Sequence, residues 1–177
     1  MKARRLLAID PGLPDLGAAL YVDGVLAQAV HVVIPREQKE RADAIVQLCD
    51  ATERALGIHG LALGDDRYPE LVVAEWPQIF LEGGSIKRRE GRTVTVQQYL
   101  ELAGVSAVML DRAASWGAEV ARYRPAEWKG NKPKPEHQRT GLAQLSDEER
   151  ARLPKMPKAG RYLSDPLDAA LLGLWYL

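Results

Sequence analysis

Two short apolar runs, each ending on a carboxylate, constrain the fold of this chain more than any other feature. The run at residues 6–9 leads directly into Asp10-Pro11-Gly12, and the run at residues 71–74 leads into Glu75. Short apolar runs bounded by turn-forming or charged residues are typical of strands that are buried on both faces of a sheet. The pattern therefore predicts two central strands, each with an acidic residue at its carboxyl end.

The remaining patterns predict three more strands around this pair and helices on both faces of the sheet. Apolar stretches at 16–22 and 25–34 flank Asp23-Gly24, and a two-residue Asp-Gly link is a strong hairpin signal. The first three strands are therefore expected to be antiparallel. Apolar periodicity predicts helices at 37–56 and 94–114, a strand at 118–123 and a last helix at 164–177 that is capped by Ser164 or Asp165. This order describes an α/β protein with one mixed five-stranded sheet.

Two linking segments carry weaker signals. Residues 83–91 are polar and basic and are expected to form a mobile loop. Residues 124–160 are rich in proline and lysine, with one short helix predicted where Ser146 and Glu149 have the spacing of a capping box.

Length and composition favour one cytoplasmic domain. A chain of 177 residues is expected to form a single domain over 1–177, and 46% hydrophobic residues argue against disorder. No apolar run approaches the roughly 20 residues of a membrane span, and the first five residues lead into a strand rather than a signal peptide. Cys49, the only cysteine, lies on the apolar face of its helix and is expected to be a buried core residue.

Four acidic residues are expected to meet at one edge of the sheet. Asp10 and Glu75 end neighbouring strands, and Asp165 and Asp168 lie three apart, which places them on one face of the last helix. Clustered carboxylates repel one another and imply a bound cation. We see only oxygen ligands here, with no second cysteine and no histidine near these motifs, which favours Mg²⁺ or Mn²⁺. Two such ions could clamp the attacking and leaving oxygens of a phosphoryl displacement.

Each acid also has a structural alternative. Asp10 could form a turn with the following Pro-Gly, Asp165 could cap the last helix, and Asp168 could complement the helix dipole. Glu75 has no such local task, and the joint placement of the four acids favours the metal site.

Positive charge is concentrated in two segments beside these acids, although the chain as a whole has 24 basic and 24 acidic residues. The first holds Lys87, Arg88, Arg89 and Arg92 against one acid, and the second holds Arg122, Arg124, Lys129, Lys132, Lys134 and Arg139 against two. Basic residues next to an acidic metal site suit a phosphodiester substrate. The alternative is that both segments are simply solvated loops.

Aromatic and histidine residues give ambiguous signals. Phe80, the only phenylalanine, could stack on an unpaired base or belong to the core, and Trp76 and Trp128 share this ambiguity. His31 and His59 are expected to have no partners that suggest catalysis. His137 lies in the basic segment and is expected to be a surface residue, with phosphate contact or proton transfer as the alternative.

The three acidic motifs together resemble those of the RuvC-type Holliday-junction resolvases. The matching segments are Leu7-Ala8-Ile9-Asp10-Pro11-Gly12, Val73-Ala74-Glu75 and Asp165-Pro166-Leu167-Asp168-Ala169-Ala170. The resemblance implies a ribonuclease H-like fold, a homodimer, and hydrolysis with two Mg²⁺ ions, for which Mn²⁺ substitutes, that nicks opposed strands of four-way junction DNA. It implies that the metal ligands are Asp10, Glu75, Asp165 and Asp168, with Lys129 near the scissile phosphate. The residues expected to bind DNA are Lys87, Arg88, Arg89, Arg92, Lys129, Lys132, Lys134 and Phe80, although Phe80 stands two positions later than the family's aromatic residue.

Other functions remain open at this point. A nuclease of the same fold could cut RNA or other branched DNA, and a catalytically silent protein could bind DNA by its shape. The presence of all four acids argues against the silent protein. A small nucleotide-binding kinase-like fold is disfavoured because the chain has no phosphate-cradling glycine-rich loop.

Overall fold

The five-stranded sheet forms as expected in the structure, a computed structural model that describes residues 4–35, 41–77, 80–82, 85–87, 96–157 and 160–177. The strand order is β3-β2-β1-β4-β7, and a separate hairpin pairs β5 with β6. The strands are β1 (Arg5–Asp10), β2 (Asp15–Val22), β3 (Val25–Val33), β4 (Leu71–Glu75), β5 (Phe80–Glu82), β6 (Ser85–Lys87) and β7 (Glu119–Tyr123). The helices are α1 (Arg41–Ala55), α2 (Val96–Ser115), α3 (Pro125–Trp128), α4 (Lys134–Leu142), α5 (Asp147–Ala151) and α6 (Ser164–Tyr176).

Strand pairing brings the two predicted strand-end acids to the same edge. β1 is antiparallel to β2 and parallel to β4, with Ile9 opposite Ala74. Asp10 and Glu75 are the next residues on these parallel neighbours, so both leave the sheet at one edge. The Asp23-Gly24 link between β2 and β3 forms the predicted tight turn, and both residues have the positive φ, 51° and 81°, that a type I′ turn requires.

The central strand β1 is buried on both faces, as its apolar run predicts. Leu7 and Ile9 join a core that is covered by α1 and α2, whereas Leu6 and Ala8 join a core on the opposite face that is covered by α6. Cys49 is fully buried in the first of these cores, which confirms its expected role as a core residue. Burial raises the pKa of its thiol to about 12.

Helix α6 packs very closely on the sheet because small residues face it. A Cβ atom on Gly17 of β2 would collide with the backbone carbonyl of Asp165, and one on Gly173 would lie 2.5 Å from the Tyr21 ring. The Tyr21 hydroxyl donates a 2.6 Å hydrogen bond to the Ala170 carbonyl, which ties β2 to the middle of α6. The first turn of α6 is therefore held directly against the strand that pairs with β1.

Two of the sequence expectations for local structure are wrong. The residue that caps α6 is Leu163 and not Ser164 or Asp165, and its side chain makes no capping bond. The proline- and lysine-rich segment contains α3 and α4 in addition to the predicted α5, whose Ser146–Glu149 capping box is confirmed. Pro125 and Pro135 occupy the first turns of α3 and α4, where proline is tolerated.

The expected basic loop at 83–91 is only partly described. Its described residues belong to β6, which pairs with β5 so that Phe80 is opposite Lys87. In the described part of the chain, no helix is both long and apolar enough to cross a membrane.

Replacing Gly17 with alanine tests the close packing of α6. We expect Gly17→Ala to lower the free energy of unfolding by about 1–3 kcal/mol, because the added methyl group forces α6 away from β2. Urea denaturation of both proteins measures the change.

Gly104→Ala is the matched control. Its Cβ would meet only the end of the Ile45 side chain, at 2.9 Å, and alanine is favoured over glycine inside a helix such as α2. Equal stability of the Gly17 and Gly104 variants would contradict the proposed packing.

Candidate active site

Two of the four predicted acids come from the sheet. Asp10 is the last residue of β1 and Glu75 is the last residue of β4, and the two strands are parallel neighbours. The Ser106 hydroxyl of α2 donates a 3.1 Å hydrogen bond to the Glu75 carbonyl, which fixes the end of β4. Both carboxylates are partly buried.

The other two acids come from the first turns of α6. Asp168 is only 1% exposed and is surrounded by donors. Its Oδ1 accepts a 2.8 Å hydrogen bond from Gln138 of α4, and its Oδ2 lies 2.8 Å from Lys134 Nζ. Asp165 is partly exposed and lies nearer to β2 and β3.

The ammonium group of Lys129 contacts one acid from the sheet and one acid from α6. Its Nζ lies 2.7 Å from Glu75 Oε2 and 3.3 Å from Asp168 Oδ2. It also lies over the ring of the buried Trp128, 4.5 Å from the ring centroid, which holds the side chain in place. Lys129 therefore occupies the space between carboxylates that the sequence assigned to a metal site.

The pKa shifts agree with a buried, crowded set of charges. Burial lowers the pKa of Lys129, but the charges of Asp10, Glu75 and Asp168 outweigh burial and raise this pKa overall. Burial raises the pKa of Asp10 well above its ordinary range, and the Glu75 charge raises it further. Burial also acts to raise the pKa of Asp168, but Lys129 and Lys134 lower it below its ordinary value. The two lysines stabilise Asp168 as an anion and leave Asp10 incompletely compensated.

The donor set suits a hard divalent cation. All four groups are carboxylates, which are the ligands that Mg²⁺ and Mn²⁺ prefer. Glu75 Oε2 is buried, and its cationic partner is the Lys129 ammonium group at 2.7 Å. A buried carboxylate beside the incompletely compensated Asp10 is an arrangement that a further cation would stabilise.

His31 lies beside this site, and sequence reasoning missed it. Its Nε2 lies 3.4 Å from Asp15 Oδ2 and 3.7 Å from Asp165 Oδ2. The expectations that His31 lacks relevant partners and that no histidine lies near the acidic motifs are therefore wrong. A regular hairpin built from the Asp23-Gly24 turn would pair Val30 with Gly17. An irregularity at Leu20/Tyr21 shifts the β2–β3 register by one residue, so that His31 pairs with Gly17 instead. The sequence carries no clear signal for that shift.

His59 also has partners that the sequence did not indicate. Its Nδ1 lies 3.2 Å from Glu53, and Arg112 of α2 bridges Glu53 and Asp50 of α1 at 2.8 and 2.6 Å. An arginine thus compensates these two acids, and the network ties α1 to α2.

A cavity of about 350 Å³ opens where β4 and β7 end. It is lined by Trp76, Arg122, Arg124 and Glu127, and the Arg122 guanidinium lies 4.8 Å from the centroid of the Trp76 ring. Both arginines are exposed, and β7 is an edge strand. The cavity therefore presents two arginines and an aromatic ring at the same edge of the sheet at which β4 ends in Glu75.

The remaining predicted DNA-binding residues are placed only in part. Lys132 is exposed between α3 and α4, whereas Lys134 contacts Asp168 and belongs to the site itself. Phe80 belongs to β5 and Lys87 to β6, where the two residues pair. Arg88, Arg89 and Arg92 lie outside the described residues.

Trp128 and His137 belong to the packing behind Lys129. Trp128 is a buried core residue, and the His137 ring packs edge-on against it at 5.1 Å. Burial lowers the pKa of His137. His137 is therefore partly buried and not the plain surface residue that was expected.

The fold is that of the RuvC Holliday junction resolvases. RuvC from Thermus thermophilus superposes with a TM-score of 0.61 at 20% identity over 97% of this chain and 92% of that chain. The same protein in complex with a Holliday junction substrate gives 0.60 at 16% identity, with coverage of 97% and 91%. The yeast mitochondrial Holliday junction resolvase gives 0.51 at 12% identity, with coverage of 98% and 78%.

These likenesses confirm the expected ribonuclease H-like α/β fold and the resemblance that the acidic motifs indicated. No protein-family model matches the sequence, and a search of curated proteins finds no significant match.

Removing the Lys129 charge tests its role among the acids. In the absence of divalent metal, we expect Lys129→Met to lower the free energy of unfolding by roughly 3 kcal/mol, because Asp168 and Glu75 lose a close cation. Adding Mg²⁺ is expected to stabilise the variant more than the wild type. Lys132→Met, which removes an exposed lysine from the same segment, is the control. Equal losses in the two variants would contradict this role.

The difference in unfolding free energy between wild type and Lys129→Met is expected to depend on pH. The lysines hold the pKa of Asp168 below its ordinary value, so the stability that this ion pair contributes is present above about pH 4. It is lost as the pH falls through the lowered pKa. The difference in unfolding free energy between wild type and Lys129→Met should therefore be complete at pH 7 and narrow below pH 4. A difference that widens on acidification would contradict the assignment.

Proposed function

We propose that this protein is a divalent-metal-dependent endonuclease that resolves four-way DNA junctions by paired nicks. The observation that carries the proposal is the convergence of Asp10, Glu75 and Asp168 on Lys129 at one edge of a resolvase-like fold. Clustered carboxylates can hold the metal ions that catalyse phosphoryl transfer. Without a bound cation, their mutual repulsion destabilises the folded protein.

The acids are proposed to hold two Mg²⁺ ions, for which Mn²⁺ would substitute. Asp10 faces Glu75 from the neighbouring strand and feels the charges of both α6 acids, so it is suited to be shared between the ions. Glu75, Asp165 and Asp168 would complete the two ligand sets. When bound, the ions supply electrostatic activation of the phosphate and of the nucleophile.

The lysines of the site are proposed to act on the substrate phosphate. Lys129 and Lys134 both contact Asp168. If bound cations neutralised the carboxylates, these ammonium groups would be available to phosphate oxygens. A preorganised cation beside a phosphate that gains negative charge stabilises the transition state.

The cavity at the ends of β4 and β7 is proposed to bind the DNA backbone beside the cleaved bond. Arg122 and Arg124 supply exposed positive charge, and Trp76 supplies a ring on which a sugar or base can pack. Phe80, Lys87, Arg88, Arg89, Arg92 and Lys132 are proposed to extend this surface. The acids gather in the metal site and the bases gather beside it, so a neutral chain can still present positive charge to DNA.

Paired nicks on opposed strands need two active sites, so the active form is proposed to be a homodimer acting in the cytoplasm. A related nuclease that cuts RNA or other branched DNA would use the same acids, and substrate choice distinguishes it.

A cleavage assay with matched substrates tests the activity. With Mg²⁺, we expect symmetric paired nicks in a labelled four-way junction and little cutting of duplex DNA or an RNA–DNA hybrid. Asp10→Asn should lower cleavage by at least about a hundredfold, because a shared metal ligand is lost, and should retain junction binding. Asp66→Asn, which changes an exposed acid outside all three acidic motifs, is the control.

Three outcomes would contradict the proposed function. They are equal cutting of duplex DNA, cleavage that survives Asp10→Asn, and a protein that remains monomeric at micromolar concentration both alone and on junction DNA. Preferred cutting of the RNA–DNA hybrid would favour the alternative substrate class.

The salt dependence of junction binding tests the cavity. Arg122→Gln and Arg124→Gln should each weaken binding and reduce the slope of log affinity against log salt by about 1, because each removes one phosphate contact. Fluorescence anisotropy at several salt concentrations measures both quantities. Arg67→Gln is the control, because Arg67 is exposed and paired with Asp65 in the segment before β4. Identical slopes for all variants would place the DNA elsewhere.

A further inference from the structure

Asp15, His31 and Asp165 form a group of potential ligands outside the four-acid set. One donor atom from each residue lies within 4.8 Å of the other two. Asp15 begins β2, His31 lies on β3, and Asp165 lies in the first turn of α6, so three separate elements supply the group. All three side chains are partly buried.

The spacing of these donors suits a shared cation better than direct hydrogen bonds. His31 Nε2 makes a long hydrogen bond of 3.4 Å with Asp15 and lies 3.7 Å from Asp165, and both distances exceed the about 2.7–3.2 Å of a normal N–H···O hydrogen bond. Ligands about 2.1–2.2 Å from one metal ion, at angles between octahedral and tetrahedral, lie about 3.0–3.6 Å from one another. The observed separations are close to that range.

The fold fixes this geometry through the backbone. Gly17 is opposite both Asp10 on β1 and His31 on β3, so the acidic site and His31 lie along one line across the sheet. The lack of a side chain on Gly17 lets the Asp165 backbone rest on β2 next to His31. The register shift at Leu20/Tyr21 is what brings His31, and not Val30, into this line.

A second group of potential ligands in the described part of the chain already has an arginine as its cation. Asp50, Glu53 and His59 are also close together, but the Arg112 guanidinium lies 2.6 and 2.8 Å from the two acids and supplies their cation. Among the described residues, no arginine or lysine lies within ion-pair distance of Asp15 or Asp165. The two acids of the first group therefore have His31 as their only cationic neighbour within ion-pair distance among the described residues, and Lys134 acts on Asp165 only from farther away.

We propose that Asp15, His31 and Asp165 bind a divalent transition-metal ion, such as Mn²⁺, Co²⁺ or Zn²⁺, in preference to Mg²⁺. An imidazole nitrogen favours these ions, whereas Mg²⁺ prefers oxygen ligands alone. The site shares Asp165 with the proposed nuclease centre, but it is defined by His31 and Asp15. Its existence does not depend on junction cleavage.

Co²⁺ binding followed by its visible absorption tests the site without DNA and without activity. With excess Mg²⁺ present to fill sites that have only oxygen ligands, we expect wild type to bind one Co²⁺ ion that Mg²⁺ does not displace. His31→Gln should weaken this binding at least about tenfold, since even residues that only orient a metal ligand contribute about that much. His59→Gln is the matched control and should bind as wild type does. Asp10→Asn should also retain the ion, which separates this site from the nuclease centre.

A measurement on the wild type guards against misfolding of the variant. Substoichiometric Mn²⁺ should broaden the imidazole NMR signals of His31 before those of His59 and His137. Equal Co²⁺ affinity of wild type and His31→Gln, full displacement by Mg²⁺, or broadening that is no stronger at His31 would each overturn the proposal and leave His31 as an ion-pair partner only.

Discussion

The close approach of α6 to the sheet is the constraint on which the candidate site depends. Gly17 and Gly173 leave no space between the helix and the strands, and the Tyr21 hydroxyl bonds to the helix backbone. This packing holds Asp165 and Asp168 at the edge where β1 and β4 end. A helix raised by one larger side chain would move both acids away from the strand-end acids Asp10 and Glu75.

Bringing four acids together requires compensation, and this chain supplies part of it with its own side chains. Lys129 reaches Glu75 and Asp168, and Lys134 reaches Asp168 alone. Four carboxylates against two ammonium groups leave a deficit of positive charge, and the raised pKa of Asp10, caused by its burial and the neighbouring Glu75, reflects it. The deficit is the physical reason to expect divalent cations at this edge of the sheet.

The neutral net charge of the chain hides a strong separation of charge. Acids gather at the edge of the sheet where β1 and β4 end. Arg122 and Arg124 line the cavity where β4 and β7 end, and Lys132 is exposed between α3 and α4. Under the proposed function, a phosphate backbone would contact these bases at the same edge of the sheet as the acids. Equal numbers of acidic and basic residues therefore say little about a nucleic-acid partner, because binding depends on where the charges lie.

The sequence by itself determined the sheet and most of the acidic site, because strand-end acids and a three-residue spacing on a helix are local patterns. Asp10, Glu75 and Asp168 could be placed together once β1 and β4 were paired. Only the tertiary structure showed that the Lys129 ammonium group lies in direct contact with these acids, since Lys129 and Glu75 are 54 positions apart in the chain. The tertiary structure also decided the role of His31. One irregular position in the β2–β3 pairing determines that His31, and not Val30, lies opposite Gly17, and such an irregularity leaves no clear pattern in the sequence.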